Sequence, residues 1–186
     1  MRSWWVAVLA CVLLVSACGG DDDGGTGGET PGPTVGGMII ASDSFQEGSG
    51  LPDTYGCVGD DQSPPLSWLQ APEEAVAFAL VMDDSDADDF VHWLVYDIPA
   101  DATDLPIDLP DGEELDNGSK QGENSFGDVG YGGPCPPVGE THTYRFRVFA
   151  LDAETGVPAG ATWDEVELAI EGHVLDEGQV TATYGR

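Results

Sequence analysis

The pattern of apolar and polar positions divides the chain into segments of different period. Ala75 to Met82 is an unbroken apolar run between turn-forming residues and a row of aspartates. Its eight residues suit a buried strand better than a helix. Phe90 to Ile98 is a second such run, rich in the aromatic and β-branched side chains that fit a pleated surface. From Thr141 to Leu151 the pattern alternates: Tyr144, Phe146 and Val148 share one side, and Thr143, Arg145 and Arg147 share the other. That is the period of a strand with one buried face. Met38 to Ser42 also reads as a strand, and Gly48 to Pro52 as the turn after it. A helix is predicted from about Trp163 to Glu171, because Thr162 and Glu165 have the spacing of a capping box and Val166, Ala169 and Ile170 lie on one side. Gly172 is a natural stop. The pattern over Val174 to Tyr184 is weaker and reads as a helical turn followed by a final strand. Residues 99–140 sustain no period, and a stretch of that length without regular structure is often functional. The class is mainly β, with one or two short helices near the C-terminus, and 186 residues with 41% hydrophobic side chains supply one core.

Composition changes this picture first at the N-terminus. Met1-Arg2-Ser3 is followed by an apolar run from Trp4 to Val15, too short to span a bilayer as a permanent helix. Its end, Leu14-Val15-Ser16-Ala17-Cys18, resembles the lipobox that is cut and acylated in bacterial lipoproteins. Residues 1–17 are therefore read as a signal peptide and Cys18 as the lipidated first residue. Cleavage before Cys11 would leave an apolar region below the usual signal length, and an uncleaved anchor helix would find nothing apolar after Cys18 to lengthen it. Residues 18–37, mostly Gly, Asp, Thr and Pro, have too little to bury to offset their ordering entropy and form a flexible linker. The expected arrangement is an exported domain, residues 38–186, tied to a membrane by lipid.

Charge then narrows the partners. Thirty-five Asp and Glu against five Lys and Arg give a formal net charge of -30. Nucleic acid is excluded as a partner, since neutralising phosphates needs the opposite sign, and an anionic membrane surface would repel the domain without a covalent lipid. With Cys11 removed and Cys18 acylated, Cys57 and Cys135 remain. An even pair in an oxidising compartment reads as a disulfide, with two free thiols as the alternative.

Candidate chemistry is sparse. His92 lies inside an apolar strand, where a histidine taken alone is more often a hydrogen-bonded core residue than a functional one. His142 opens the alternating strand, and the helix end accounts for His173. Asp84, Asp86 and Asp88 match the first three ligand positions of a calcium loop, but Asp89 and Val95 stand where glycine and a bidentate glutamate are required. The aspartates of 83–89 then read as a solvated loop at a strand end. Asp84, His92 and His142 lack standard zinc spacing, so no metal is expected. Ser85, Ser119 and Ser125 lack a nucleophile-elbow context, and no catalytic residue or cofactor is assigned.

Several blocks in order resemble the phosphatidylethanolamine-binding protein family, in its bacterial, Raf-kinase-inhibitor-like branch. They are Cys57-Val58-Gly59 with Ser63-Pro64-Pro65-Leu66-Ser67-Trp68; Asp83-Asp84-Ser85-Asp86-Ala87 followed by Val91-His92-Trp93; and Gly122 to Gly127 before Gly130-Tyr131-Gly132-Gly133-Pro134-Cys135-Pro136-Pro137-Val138-Gly139 and His142-Thr143-Tyr144. The ending, Ile170 to Leu175 and Thr183 to Arg186, fits as well. The resemblance spans about residues 38 to 186. It implies antiparallel β-sheets, one large and central, with short peripheral helices and a pocket where the two signatures meet. It places Asp84, Asp86, His92, His142 and Tyr144 at that pocket, with Tyr131, Gly133 and Pro134 in a wall running from Tyr131 to Pro137. Two departures stand out: Ser85 and Asp88 replace the usual prolines of the first signature, and Thr143 replaces the usual arginine of the second.

On this reading imidazole N–H groups and a phenol O–H donate to a small anion or phospholipid head group, while Asp84 accepts from a histidine or a ligand amine. Neighbouring carboxylates should favour charged imidazoles, so binding weakens as pH rises. The function expected is non-catalytic binding. The alternatives are a protein-interaction or inhibitor module with an unidentified partner, against a kinase or protease, and a hydrolase using a His/Asp pair.

Overall fold

The computed structural model describes residues 37–186. The expected signal segment, the expected lipidation site Cys18 and the expected linker apart from its last residue lie outside the described residues.

Nine strands and one α-helix follow one another among the described residues: β1 (Ile39–Ala41), β2 (Ser49–Gly50), β3 (Leu66–Leu69), β4 (Ala77–Asp84), β5 (Phe90–Pro99), β6 (Asp104–Leu105), β7 (Lys120–Gln121), β8 (Thr141–Leu151), α1 (Trp163–Ile170) and β9 (Val174–Gly185), with a 3₁₀ turn at Asp53–Tyr55. Six strands form a large sheet in the order β2-β9-β8-β4-β5-β7, and β1-β3-β6 form a small one. All pairings are antiparallel except β2 with β9.

Period-two alternation sorts the central strands onto two faces. Phe78, Leu80 and Met82 of β4, Tyr144, Phe146 and Val148 of β8, and Val180 and Ala182 of β9 point toward the small sheet, where they pack with Ile40, Leu66, Trp68 and Leu105. Ala79 and Val81 point the other way and meet Leu94, Tyr96, Phe149 and the α1 residues Val166 and Ile170. Covered on both faces, β4 is buried at all eight positions, which is why its sequence shows no alternation. Each large apolar side chain sequestered there contributes about 1.5–3 kcal/mol. The helix starts as its sequence predicts: the Glu165 carboxylate accepts the backbone N–H of Thr162 at 3.0 Å.

Three expectations change. Within the expected turn Gly48 to Pro52, Ser49–Gly50 form β2, because they pair with Ala182 and Thr183 of β9. Val174–Gly185 is one continuous strand without a helical turn, because it pairs along the length of β8 from Thr141↔Gly185 to Leu151↔Val174. The row of aspartates is not wholly solvated, since Asp83 and Asp84 complete β4 and are 1% and 3% exposed. Cys57 and Cys135 are joined in a disulfide.

Candidate functional site

Asp83 and Asp84 are adjacent on β4 and therefore point to opposite faces of the large sheet. Asp83 continues the Val81 side and accepts Arg145 Nε at 2.6 Å and an Arg147 terminal nitrogen at 2.7 Å. Asp84 continues the Met82 side. There its Oδ2 lies 2.6 Å from His142 Nδ1, and its Oδ1 accepts the backbone N–H of Asp86 at 2.9 Å. His142 is two residues before Tyr144 on β8, and Tyr144 pairs with Asp84 in the ladder, so both rings share the face of Asp84.

His92 reaches that face through an irregularity. The β4–β5 register passes from Met82↔Trp93 to Asp83↔Val91, leaving His92 as the extra residue of a bulge. Strict alternation would put His92 opposite Trp93. The bulge instead turns it against Tyr144, with ring centroids 5.2 Å apart and nearly perpendicular planes. Its Nδ1 lies 2.6 Å from the Gly132 carbonyl oxygen. A carbonyl only accepts, so Nδ1 carries the proton and Nε2 of the neutral ring is an acceptor.

Asp84, His92 and His142 line one cleft of about 330 Å³, together with Phe90, Phe126 and the segment Cys135 to Pro137. A larger cleft of about 700 Å³ lies on the helix side around Arg145, Arg147 and Trp163, and none of the three lines it. The two histidines differ in charge preference. The hydrogen bond to Asp84 raises the His142 pKa above its ordinary value, burial opposes this, and Glu140, whose Oε2 is 3.3 Å from Nε2, and Asp86 add to the rise. Burial lowers the His92 pKa, with the Gly132 carbonyl and the Asp84 charge opposing. The expectation that neighbouring carboxylates favour both imidazoliums therefore fails at His92, where desolvation outweighs a carboxylate already committed to His142. For stability the signs are opposite. The His142 pair stabilises fully below about pH 6.5 and loses this as pH rises through its raised pKa, whereas the His92 contribution is present above about pH 6.5 and is lost as pH falls.

The other expected residues stand behind or beside the cleft. Tyr144 is fully buried, and its hydroxyl has no partner in hydrogen-bonding geometry among the described residues. Burial, followed by the Asp84 charge, pushes its pKa well up. Tyr131 packs edge-on to Trp93 and donates its hydroxyl to the Tyr55 carbonyl at 2.7 Å. Gly133 donates its N–H to Asp61 Oδ1 at 2.7 Å, and the Pro134 carbonyl accepts the Cys57 N–H at 3.1 Å. These three pin the wall without lining the cleft. Asp86 is exposed and accepts the Thr143 N–H at 2.7 Å.

The family model for phosphatidylethanolamine-binding proteins matches residues 41–185. The chain belongs to the phosphatidylethanolamine-binding protein family. Relatives within it include a UPF0098 protein of Aquifex aeolicus, 46% identical over 80% of this chain and 89% of that protein. A protein of Mycobacterium tuberculosis named as a lipoprotein, LppC, is 34% identical over 96% of this chain and 93% of its own. Among solved structures, YbcL of Escherichia coli superposes with a TM-score of 0.74 at 31% identity, covering 80% of this chain and 98% of that one. A phosphatidylethanolamine-binding protein homologue of Chlamydia trachomatis gives 0.72 at 30% identity, covering 81% and 98%.

Within this family member, sequence reasoning missed Phe90 and Phe126. Phe90 stands two residues before His92, a spacing that marks a shared strand face, and the ring centroids lie 5.3 Å apart. Phe126 sits in a loop with no period to reveal it, yet its ring meets both Phe90, at 4.8 Å, and His92, at 5.3 Å. Ala87, from the aspartate turn, completes the lining.

Proposed function

We propose that the cleft binds a small anion or phospholipid head group without chemical turnover. The observation that carries this reading is the meeting of Asp84, His92 and His142 in one cavity, with the Tyr144 ring packed against His92 behind it. Phe90, Phe126 and the prolines give the remainder of the cleft an apolar surface suited to the carbon skeleton of an ester.

An anion at His92 needs the proton that burial disfavours, so binding takes up a proton. Affinity falls with rising pH, first through the low His92 range and again through the higher His142 range. Calorimetry with sulfate, whose charge is constant across the range, should show tighter binding at about pH 5.5 than at about pH 8. Buffers of different ionisation enthalpy should reveal the proton uptake. His92→Ala should weaken binding on the order of 10- to 100-fold, the worth of a hydrogen bond to a charged group. Equal affinity at both pH values, or no loss in the variant, contradicts the proposal. Phosphate and phosphoethanolamine in the same assay separate a free anion from a head group, and release of product from an ester would favour the hydrolase.

Glu140 competes for the same nitrogen. Its side chain is 60% exposed and lies against His142 Nε2, so an incoming anion must displace it. Glu140→Gln should raise sulfate affinity roughly two- to fivefold, since an exposed ion pair contributes at most about 1 kcal/mol. A loss of affinity would instead make Glu140 part of the binding surface.

A second reading, protein interaction at the same face, is favoured by Val138, which directly follows the wall and is 81% exposed, and by half-exposed Phe126. It takes precedence if none of these anions binds.

The proposed setting is a lipid anchor at Cys18. The similarity to LppC runs over 96% of the chain and so extends into the leader, and no helix among the described residues is long and apolar enough to cross a membrane. Cys18→Ser should move the expressed protein from the detergent-rich to the aqueous phase in a temperature-induced detergent partition. Retention in the detergent phase would refute acylation at that residue.

A further inference from the structure

The wall of the cleft is held without the pairing of a strand or the ladder of a helix. Residues 131–139 contain no helix or strand. Gly132 N–H donates to the His92 carbonyl, Gly133 N–H to Asp61, and Gly139 N–H to the Arg186 carbonyl. Between these ties, three of the four residues 134–137 are prolines, which have no N–H to donate. The segment that faces the cavity, Cys135 to Pro137, is thus fastened to the rest of the fold through the Cys57–Cys135 bond and the Pro134 carbonyl, while the Pro137 carbonyl accepts the nearby Glu140 N–H at 3.0 Å.

That bond is placed for exchange chemistry. Both cysteines are exposed, and both lie outside the helix and strands. A terminal nitrogen of the Arg186 guanidinium stands 3.2 Å from Cys135 Sγ and 3.6 Å from Cys57 Sγ. A guanidinium stays charged at any relevant pH and stabilises a thiolate beside it, and a sulfur with a lower thiol pKa leaves faster. Asp61, the carboxylate tied into the same wall, already has one oxygen engaged by the Gly133 N–H.

We propose that Cys57–Cys135 is a thiol-exchange site that a dithiol reductant opens in the folded protein, releasing the wall of the cleft. One thiolate of the dithiol attacks Cys57 Sγ, the S–S bond breaks, and Cys135 leaves as a thiolate facing Arg186. The second thiolate of the reductant then attacks the mixed disulfide and frees Cys57. Two electrons pass to the chain, which ends with two thiols, and the dithiol ends as a disulfide. The consequence for ligand binding rests on the function proposed above; the exchange itself does not.

The test treats the native, full-length protein with dithiothreitol and follows thiol alkylation by intact mass, with amide hydrogen exchange measured before and after. The disulfide is expected to open without denaturant, and exchange at Gly132, Gly133, Cys135 and Val138 to quicken while the amides of β4 and β8 stay protected. Arg186→Gln should slow reduction about threefold for each unit by which the Cys135 thiol pKa rises. Joint Cys57→Ser and Cys135→Ser replacement should reproduce the loosened wall with no reductant present. Resistance to dithiothreitol until denaturant is added overturns the proposal, as does reduction that leaves wall exchange unchanged. Equal reduction rates in wild type and Arg186→Gln overturn the role of Arg186. Failure of the oxidised protein to bind sulfate or phosphate would count against the ligand reading alone, because the exchange readout uses no ligand.

Discussion

Replacing Asp83 with alanine is expected to lower the folding free energy by about 3–5 kcal/mol, the cost of breaking a buried ion pair by removing one partner. The carboxylate is 1% exposed and holds two guanidiniums, Arg145 at 2.6 Å and Arg147 at 2.7 Å. Arg145 keeps a second carboxylate, Asp89, after the change. Arg147 does not have that reserve: its Nε is buried without a partner among the described residues, and its guanidinium lies 5.7 Å over the Phe149 ring and 5.6 Å over that of Trp163. Losing Asp83 thus strands a charge between the sheet and the first residue of α1, and the helix layer loosens with it. The measurement is a urea transition, with a lower midpoint at unchanged slope. Asp89→Ala is the control: its partner is the same Arg145, but its own side chain is 68% exposed, so the loss should stay within about 1 kcal/mol. Equal midpoints for the two variants would show that Asp83 is no keystone.

The contrast between Asp83 and Asp84 shows where the sequence was readable and where it was not. The cores of β4, β5 and β8 and the capped helix are legible because burial of apolar groups sets their period. The strand β4 nevertheless runs two residues past its apolar stretch, into aspartates that composition alone assigns to solvent. What holds them inside is the set of partners 58 to 64 residues away, Arg145, Arg147 and His142. No local pattern contains that information. The aim of His92 was hidden in the same way, since one extra residue in a ladder reverses which face a side chain takes, and its cause is the register with β4. β9 was faint because its glycines and polar residues carry little periodicity, and pairing with β8 overrides that weakness. The two-residue strands β2, β6 and β7 are too short to carry a period. By contrast, the three groups that meet in the cleft were named from the two sequence blocks that resemble the family.

Gly133→Ala is expected to cost about 1–3 kcal/mol of stability and at least tenfold in anion affinity. Space is the reason, since backbone conformation does not demand glycine there. A Cβ at this position would overlap an Asp61 carboxylate oxygen and lie 2.5 Å from the Tyr55 carbonyl oxygen and 3.1 Å from the Gly56 Cα. The Asp61 side chain can rotate aside only by giving up the Gly133 N–H, and the Tyr55 carbonyl is fixed by the Tyr131 hydroxyl it accepts. The wall must therefore shift outward as a unit. Gly132, one residue earlier, carries the carbonyl that fixes the tautomer of His92, so the shift also removes the contact that keeps Nε2 free for the cavity. Binding should consequently fall more than stability. A sulfate titration beside a urea transition reads both quantities on one variant. Gly139→Ala offers a comparison two residues beyond the wall, where an added Cβ meets no described atom within 4 Å and the cost is that of a positive φ alone. If Gly133→Ala bound sulfate as tightly as the wild type, close contact between the wall and the 55–61 loop would not be what shapes the cleft.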